Sequence, residues 1–292
     1  MNGAAVVTGA ASGIGQALAE ALAARGVPVT LADRQLELAE GVAAGIRERG
    51  GSASAAELDV RDAARFRAVV DEAAQAAGSL GYLFNNAGIG VAAEMSDYDA
   101  ADWDDVIDVN LRGVAHGVLA AYPRMIRQGS GHIVNTASMA GLISTPFQGS
   151  YTTTKHAVVG LSKALRLEAQ QHGVRVSVLC PGVIRTPILE GGRYGRLKID
   201  LNPSEMAQRF EPLRPMDPAL LARRTLAAVD RNRAIIIEPR WWRLLWYVER
   251  LSPKLSARLG RASFRRMQRE LEELRRSGPA TQAERPEDSS QA

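Results

Sequence analysis

Tyr151 and Lys155 stand four residues apart in GSYTTTKHAVVGLSKAL, a pattern that predicts a helix with both side chains on one face. A phenol becomes a useful acid or base when its pKa falls from about 10, and an ammonium beside it favours the phenolate. Such a pair suits proton transfer to or from an oxygen. Taken alone, a Tyr and a Lys at this spacing are more often simple neighbours. What changes the reading is Ser138, thirteen residues earlier at the end of the apolar run HIVNTAS, together with a glycine-rich turn near the N-terminus.

That turn is Thr8-Gly9-Ala10-Ala11-Ser12-Gly13-Ile14-Gly15, directly after one apolar run and at the start of a helical pattern. Small residues there let backbone N–H groups approach a pyrophosphate, and the helix N-terminus favours negative charge. The spacing is G-x-x-x-G-x-G rather than G-x-G-x-x-G. Asp33 ends the next apolar run, where a carboxylate accepts hydrogen bonds from ribose hydroxyls and repels a 2′-phosphate; this favours NAD over NADP. Arg34 leaves NADP open, since it offers a counter-charge to such a phosphate, and Asp33-Arg34 also reads as a plain polar turn. Asn85-Asn86-Ala87-Gly88 suits either a cofactor lying across a sheet edge or a turn whose Asn side chains bind backbone. Asp59 suits either an adenine amino group or the cap of a helix beginning near Asp62.

These positions need a scaffold that gathers strand ends at one edge. Apolar runs near 3–8, 28–33, 53–59, 81–85, 131–137, 174–180 and 234–238 alternate with Ala/Leu-rich helical patterns, as repeated βαβ units around a parallel sheet require. Between the first two runs, Ile14, Leu18, Ala21 and Leu22 recur at helical spacing and Gly26 stands where a C-terminal cap belongs. The 292 residues suit one large domain or two small ones, and the expected fold is a doubly wound α/β domain of the Rossmann type over residues 1–238. Residues 183–218 read as a long loop with short helices, a common place for a binding wall. A single cysteine, Cys180, excludes a disulfide framework. No stretch approaches the roughly 20 apolar residues of a membrane span, and MNGAAVV lacks the basic region of a cleavable signal, so cytoplasm is the default expectation.

The set TGAASGIG, Asp59, NNAG, Asn110 in DVNLRG, Ser138, YTTTK and PGVIRT, in this order and spacing, resembles the short-chain dehydrogenase/reductase family. The resemblance covers about residues 3–238. It implies an oxidoreductase that transfers a hydride between a nicotinamide and a secondary alcohol or ketone, with Tyr151 as general acid/base and Ser138 bonded to the substrate oxygen. Lys155 would bind the nicotinamide ribose and lower the Tyr151 pKa, and Asn110 would hold a water linking Lys155 to solvent. The implied cofactor contacts are Gly9, Ser12, Gly13, Ile14, Gly15, Asp33, Arg34, Asp59, Val60, Asn86, Ala87, Gly88, Tyr151, Lys155, Pro181, Gly182, Ile184 and Thr186. A homodimer or homotetramer through the helices around 100–126 and 150–172 is implied as well. The rival from another class is a nucleotide-binding regulatory or scaffolding protein without turnover; a binder would not need Asn110, Ser138, Tyr151 and Lys155 together.

Met139, Gly141, Leu142, Phe147, Gln148, Ile188, Leu189 and Tyr194 flank the chemistry or lie on the long loop, with Ser138 and Tyr151 between them. Their apolar character suggests a hydrophobic substrate, steroid-like, aromatic or lipid-derived. Arg185 and Arg193 offer a carboxylate site instead. His156 points about 100° away from the Tyr151–Lys155 face and reads as structural. His116, His132 and His172 have no metal-ligand spacing, no metal site is expected, and Cys180 reads as packing.

Charge is uneven: residues 1–230 carry 22 Lys+Arg against 24 Asp+Glu, whereas residues 231–276 carry 13 against 5. The basic excess sits in a Trp-rich amphipathic extension, 239–276, expected as two or three helices broken at Pro253 and Gly260, before a polar, disordered end at 277–292. Trp241, Leu244, Leu245, Val248, Leu251 and Leu255 form its stripe, continued by Phe264, Met267, Leu271 and Leu274. Packing on its own domain or a sister subunit, walling the substrate pocket, and lying on an anionic membrane surface compete as readings. No recognition motif for nucleic acid accompanies the basic stretch.

Overall fold

The computed structural model describes residues 3–190, 194–198 and 208–277, for residues 190 and 271–277 the backbone alone. Seven parallel strands form the central sheet in the order β3-β2-β1-β4-β6-β7-β9: β1 (Ala4–Thr8), β2 (Val29–Asp33), β3 (Ala53–Glu57), β4 (Leu80–Asn85), β6 (Gly131–Thr136), β7 (Val174–Pro181) and β9 (Ile235–Glu238). All seven coincide with the apolar runs read from sequence. Near-continuous burial along β1 and β6 is what a sheet covered on both faces demands.

Helices α1 (Gly13–Ala23), α2 (Leu36–Glu48) and α7 (Pro218–Asp230) cover one face. Helices α3 (Ala63–Ala76), α5 (Gly113–Gln128) and α6 (Gly149–Ala169) cover the other, around Phe66, Val69, Met125 and Leu165. In α1, Leu18 and Leu22 are buried and Ile14 and Ala21 pack partly against that core, each leucine contributing about 2 kcal/mol. Gly26 follows with φ +78°, the left-handed turn that glycine takes without strain. Strand order reverses between β1 and β4, the switch point at which ligands enter such sheets.

Two elements have no counterpart in the sequence reading. Short strands β5 (Gly90–Ala92) and β8 (Gly195–Leu197) pair in parallel, tying part of the long loop back to the segment after β4. A π-turn, Asp108–Arg112, joins α4 (Ala100–Ile107) to α5 and carries Asn110 at its centre. Of the loop residues, Gly191, Gly192, Arg193 and Pro203 lie outside the described residues, as does the expected disordered end beyond Ser277.

The extension forms α8 (Trp242–Leu251) and α9 (Pro253–Ser277). Pro253 opens α9, as a residue without an N–H can, but Gly260 does not break it. A helix-interior glycine costs only about 1 kcal/mol, and Leu259 and Arg261 beside it are good helix formers. The stripe is also redistributed. Trp242 is buried and Trp241 is not, because α8 turns Trp242, Leu245 and Trp246 toward Val178, Cys180 and Ile237 at the sheet edge. Leu244, Leu251 and Leu255 remain exposed.

Candidate active site

The site is built at the carboxyl ends of β1, β2, β4, β6 and β7. β1 runs into Gly9 (φ +64°) and Gly13 (φ +57°), whose left-handed conformations make the turn. A Cβ on Gly15 would come 2.1 Å from the Gly9 carbonyl oxygen, so α1 approaches β1 only with glycine there. Ser12 is the extended N-cap of α1, yet its hydroxyl makes no cap bond to its own helix, leaving first-turn N–H groups to face outward. Opposite, a Cβ on Gly13 would come 3.1 Å from Thr186 Cγ2, so the absence of a side chain lets the turn lie close to the segment after β7.

Asp33 is buried at the end of β2. Ala11 N–H and Gln35 N–H donate to its two carboxylate oxygens, each at 3.0 Å, which fixes the carboxylate beside the glycine-rich turn with lone pairs to spare. Arg34 beside it is exposed and lies within electrostatic range of Asp59. Asp59 does not cap α3; Asp62 does, accepting from Arg65 N–H at 2.9 Å. Asp59 instead clasps the Arg61 side chain at 3.0 Å, and this bond outweighs burial to hold its carboxyl below the usual range. Val60 packs against Gly113.

In NNAG, Asn86 donates through its amide to Thr8 O at 3.1 Å, and the backbone N–H groups of Asn86 and Ala87 donate to the Thr8 hydroxyl at 2.9 and 3.0 Å. Thr8, quoted with the turn but given no role of its own in the sequence reading, is therefore the clasp between β1 and β4. Gly88 brings Asn110 and Lys155 together: a Cβ there would meet Asn110 Oδ1 at 3.2 Å and Lys155 Nζ at 3.3 Å. Asn110 is buried, its Oδ1 accepting from Ile89 N–H and its amide donating to Ile89 O, both at 2.9 Å.

Tyr151 and Lys155 share one face of α6, with Nζ 5.3 Å from the centre of the phenol ring. Lys155 is 3% exposed and donates to Thr136 O at 3.0 Å, leaving two N–H groups for other acceptors. Burial lowers its pKa to about 8 from 10.5. Burial also pushes the Tyr151 phenol above its usual value, against a smaller opposing effect of a hydrogen bond with Ser138. The expectation that Lys155 brings Tyr151 down is thus not met within the protein alone, because desolvation disfavours charge on both groups. Ser138 caps the short turn after β6, accepting from Ala140 N–H at 3.1 Å.

Pro181, Gly182, Ile184 and Thr186 follow along β7 and beyond. Ile184 is buried and bridges Met216, Thr186 donates to Ile184 O at 3.3 Å, and Gly182 lies under the Trp242 indole, where a Cβ would come 2.1 Å from Nε1. On the substrate side, Met139, Gly141 and Phe147 are buried, Leu142, Gln148, Leu189 and Tyr194 are half-buried and Ile188 is exposed. Phe147 has φ +62°, which is costly for a residue with a side chain; its carbonyl accepts from Ala93 N–H at 3.0 Å and its ring lies 5.2 Å from Phe264 of α9. Phe264 and Trp242 are contributions of the extension that no sequence motif marks; only the apolar stripe hinted at Phe264.

Several bland readings hold. His156 is exposed and bonds Thr152 O at 2.9 Å. Cys180 is buried and its thiol is pushed up to about 12. His132, buried against the Ser177 hydroxyl at 2.8 Å, is kept neutral with a pKa of about 3. Arg185 forks onto Glu211 at 2.7 and 3.3 Å, which occupies it as an anion site.

The chain matches the short chain dehydrogenase family model over residues 3–194. It is 36% identical over 209 residues to the 2,5-dichloro-2,5-cyclohexadiene-1,4-diol dehydrogenase LinX of Sphingobium indicum, covering 72% of this chain and 84% of that one. It is 40% identical over 189 residues to the cyclohexanol dehydrogenase of an Acinetobacter species, covering 64% and 75%. Among solved structures, a short chain dehydrogenase/reductase from Burkholderia phymatum in complex with NAD superposes with a TM-score of 0.78 at 33% identity, over 87% of this chain and 95% of that one. With the sheet, the switch-point turn and the Ser138–Tyr151–Lys155 cluster already in place, these matches establish that the chain belongs to the short-chain dehydrogenase/reductase family and is an oxidoreductase by kinship.

Proposed function

We propose that the protein oxidises a hydrophobic cyclic secondary alcohol, or reduces the matching ketone, using NAD. The carrying observation is the convergence on one sheet edge of the Tyr151–Lys155 pair, Ser138, and the buried Asp33 carboxylate beside an open glycine-rich turn. These residues fit a dinucleotide: Gly9, Gly13 and Gly15 keep their places in the turn free of side chains, Asp33 retains acceptor capacity for ribose hydroxyls, and Lys155 retains N–H donors. When bound, the nicotinamide accepts or supplies the hydride. Ser138 positions the substrate oxygen through its hydroxyl, and Tyr151 takes that oxygen's proton in oxidation or returns it in reduction. Lys155 steadies the phenolate from beneath the ring face, and Asn110 fixes the backbone at Ile89, next to Gly88, which lies against the Lys155 ammonium.

The raised phenol sets the pH dependence. Oxidation needs Tyr151 deprotonated and so gains with rising pH, while reduction needs it protonated and persists at neutral pH. The substrate class is supported by the aromatic pair Phe147–Phe264 and by the ring-bearing substrates named for the two dehydrogenase relatives. We propose further that copies associate through α5 and α6, where Leu119 and Leu167 are exposed.

The test is NAD and NADP turnover across cyclic alcohols and ketones. Tyr151→Phe should still bind nucleotide but lose turnover by roughly a hundredfold or more. Nucleotide binding without turnover of any panel member would favour the regulatory alternative. Asp33→Ser should lower kcat/KM with NAD by about tenfold to a hundredfold and narrow the gap to NADP, since each lost hydrogen bond to a charged group is worth about 1.5–3 kcal/mol.

A further inference from the structure

We propose that the outer face of the C-terminal extension docks in plane on an anionic lipid surface. Each of its helices has one face committed to the protein. In α8 Trp242, Leu245 and Trp246 pack on the sheet edge, and in α9 Phe264, about 180° round the helix from Leu255, meets Phe147. The opposite face is apolar and uncovered. Leu244 is 68% and Leu251 83% exposed, and Tyr247, Leu255 and Leu259 are exposed with them. At 100° per residue, Leu244, Tyr247 and Leu251 fall within about 60° of one another on α8, and Leu255 and Leu259 within about 40° on α9. Trp241, also exposed, stands at the start of this ridge, an amphipathic ring suited to a headgroup boundary.

The charges around the ridge choose the occupant. Arg243 and Arg250 flank it on α8, and Lys254, Arg258 and Arg261 flank it on α9, all exposed. Residues 239–270 hold nine Lys+Arg against two Glu. Both acids are half-buried and engaged, Glu249 with the Ser256 hydroxyl and Glu270 with Arg209 and Arg266. A second copy laid on this face across a twofold would set these arginines against themselves, whereas an anionic headgroup layer neutralises them while acyl chains take the leucines. No helix among the described residues is long and apolar enough to cross a membrane, so the contact is interfacial. Because α9 also touches Phe147, docking would set the mouth of the substrate site at the lipid boundary.

The test is sedimentation of the full chain with vesicles of phosphatidylcholine alone or mixed with phosphatidylglycerol. The expected result is binding to the mixed vesicles only, weakened by salt. Leu251→Asp with Leu255→Asp should lower partitioning roughly tenfold or more. Arg250→Gln and Arg258→Gln should each lower it about fivefold. Intrinsic tryptophan emission of the unaltered protein should be quenched by brominated phosphatidylglycerol, a readout that needs no variant. Failure to bind the mixed vesicles, or binding without quenching, overturns the proposal. So does a change of mass in solution caused by the leucine pair without any effect on vesicle binding, which would make the ridge a protein interface.

Discussion

Holding the Lys155 ammonium out of water costs the fold stability, and the size of that cost follows from its pKa. The folded value is depressed to about 8 against 10.5 in an unfolded chain, so between those pH values the unfolded chain binds the proton more tightly and stability rises with pH. Below pH 8 the full cost is present. Lys155→Met should therefore abolish turnover yet be more stable at pH 7 by roughly 1–3 kcal/mol, and this gain should shrink as pH climbs from 8 to 10.5. Denaturant unfolding of both proteins across that window checks it; a less stable variant would mean that the bond to Thr136 O outweighs desolvation. Helical spacing and a strand end singled out Tyr151, Lys155 and Ser138 in the sequence, but their roles, and Asn110 altogether, came from the resemblance to the short-chain dehydrogenase/reductase family. The direction of the Tyr151 shift was not legible there, because burial is a collective result of the packing around α6. Of the two readings of Asp59, the helix cap falls to Asp62, three residues on, while Asp59 is held by Arg61.

At the level of elements, the strand β8 is held by charge more than by its three-residue pairing with β5. Asp102 in α4 is fully buried, with Arg196 at 2.8 Å and Lys198 at 2.5 Å from its carboxylate oxygens. Burial alone would raise its pKa, but Lys198, Arg196 and the Asp99 cap hold it down at about 2. A carboxylate depressed in this way stabilises the fold above its unfolded pKa near 3.8 and loses that contribution as pH falls toward 2. Asp102→Ala should destabilise the protein by about 3 kcal/mol at neutral pH. Amide exchange should quicken at 90–92 and 195–197 before the rest of the sheet; uniform quickening would mean that the ion pairs serve the whole domain instead. The seven long strands were legible because burial on both faces forces apolar runs. β5 and β8 were not, since three residues carry no period. The extension's helices were legible too, but not which face packs: Trp241 and Trp242 are equally apolar, and only the shape of the sheet edge, where glycine at 182 admits an indole, selects Trp242.

The whole molecule gathers residues scattered from Thr8 to Thr186 because parallel strands all end at one edge, and this leaves the opposite surfaces of α5 and α6 free of catalytic duty. On those surfaces Leu119 is 64% and Leu167 75% exposed, large apolar groups on helices that already bury their inner faces in the core. The proposed twofold pairing of α5 and α6 would take them out of water with one self-complementary patch. The same pairing would stiffen α6, on which Tyr151 and Lys155 sit. Leu119→Asp with Leu167→Asp should lower the mass seen by sedimentation and, by loosening α6, reduce kcat more than it raises KM for the nucleotide. An unchanged mass would remove these helices as the interface. A changed mass with unchanged kcat would separate assembly from catalysis, leaving α6 rigid through its own packing against β6 and β7.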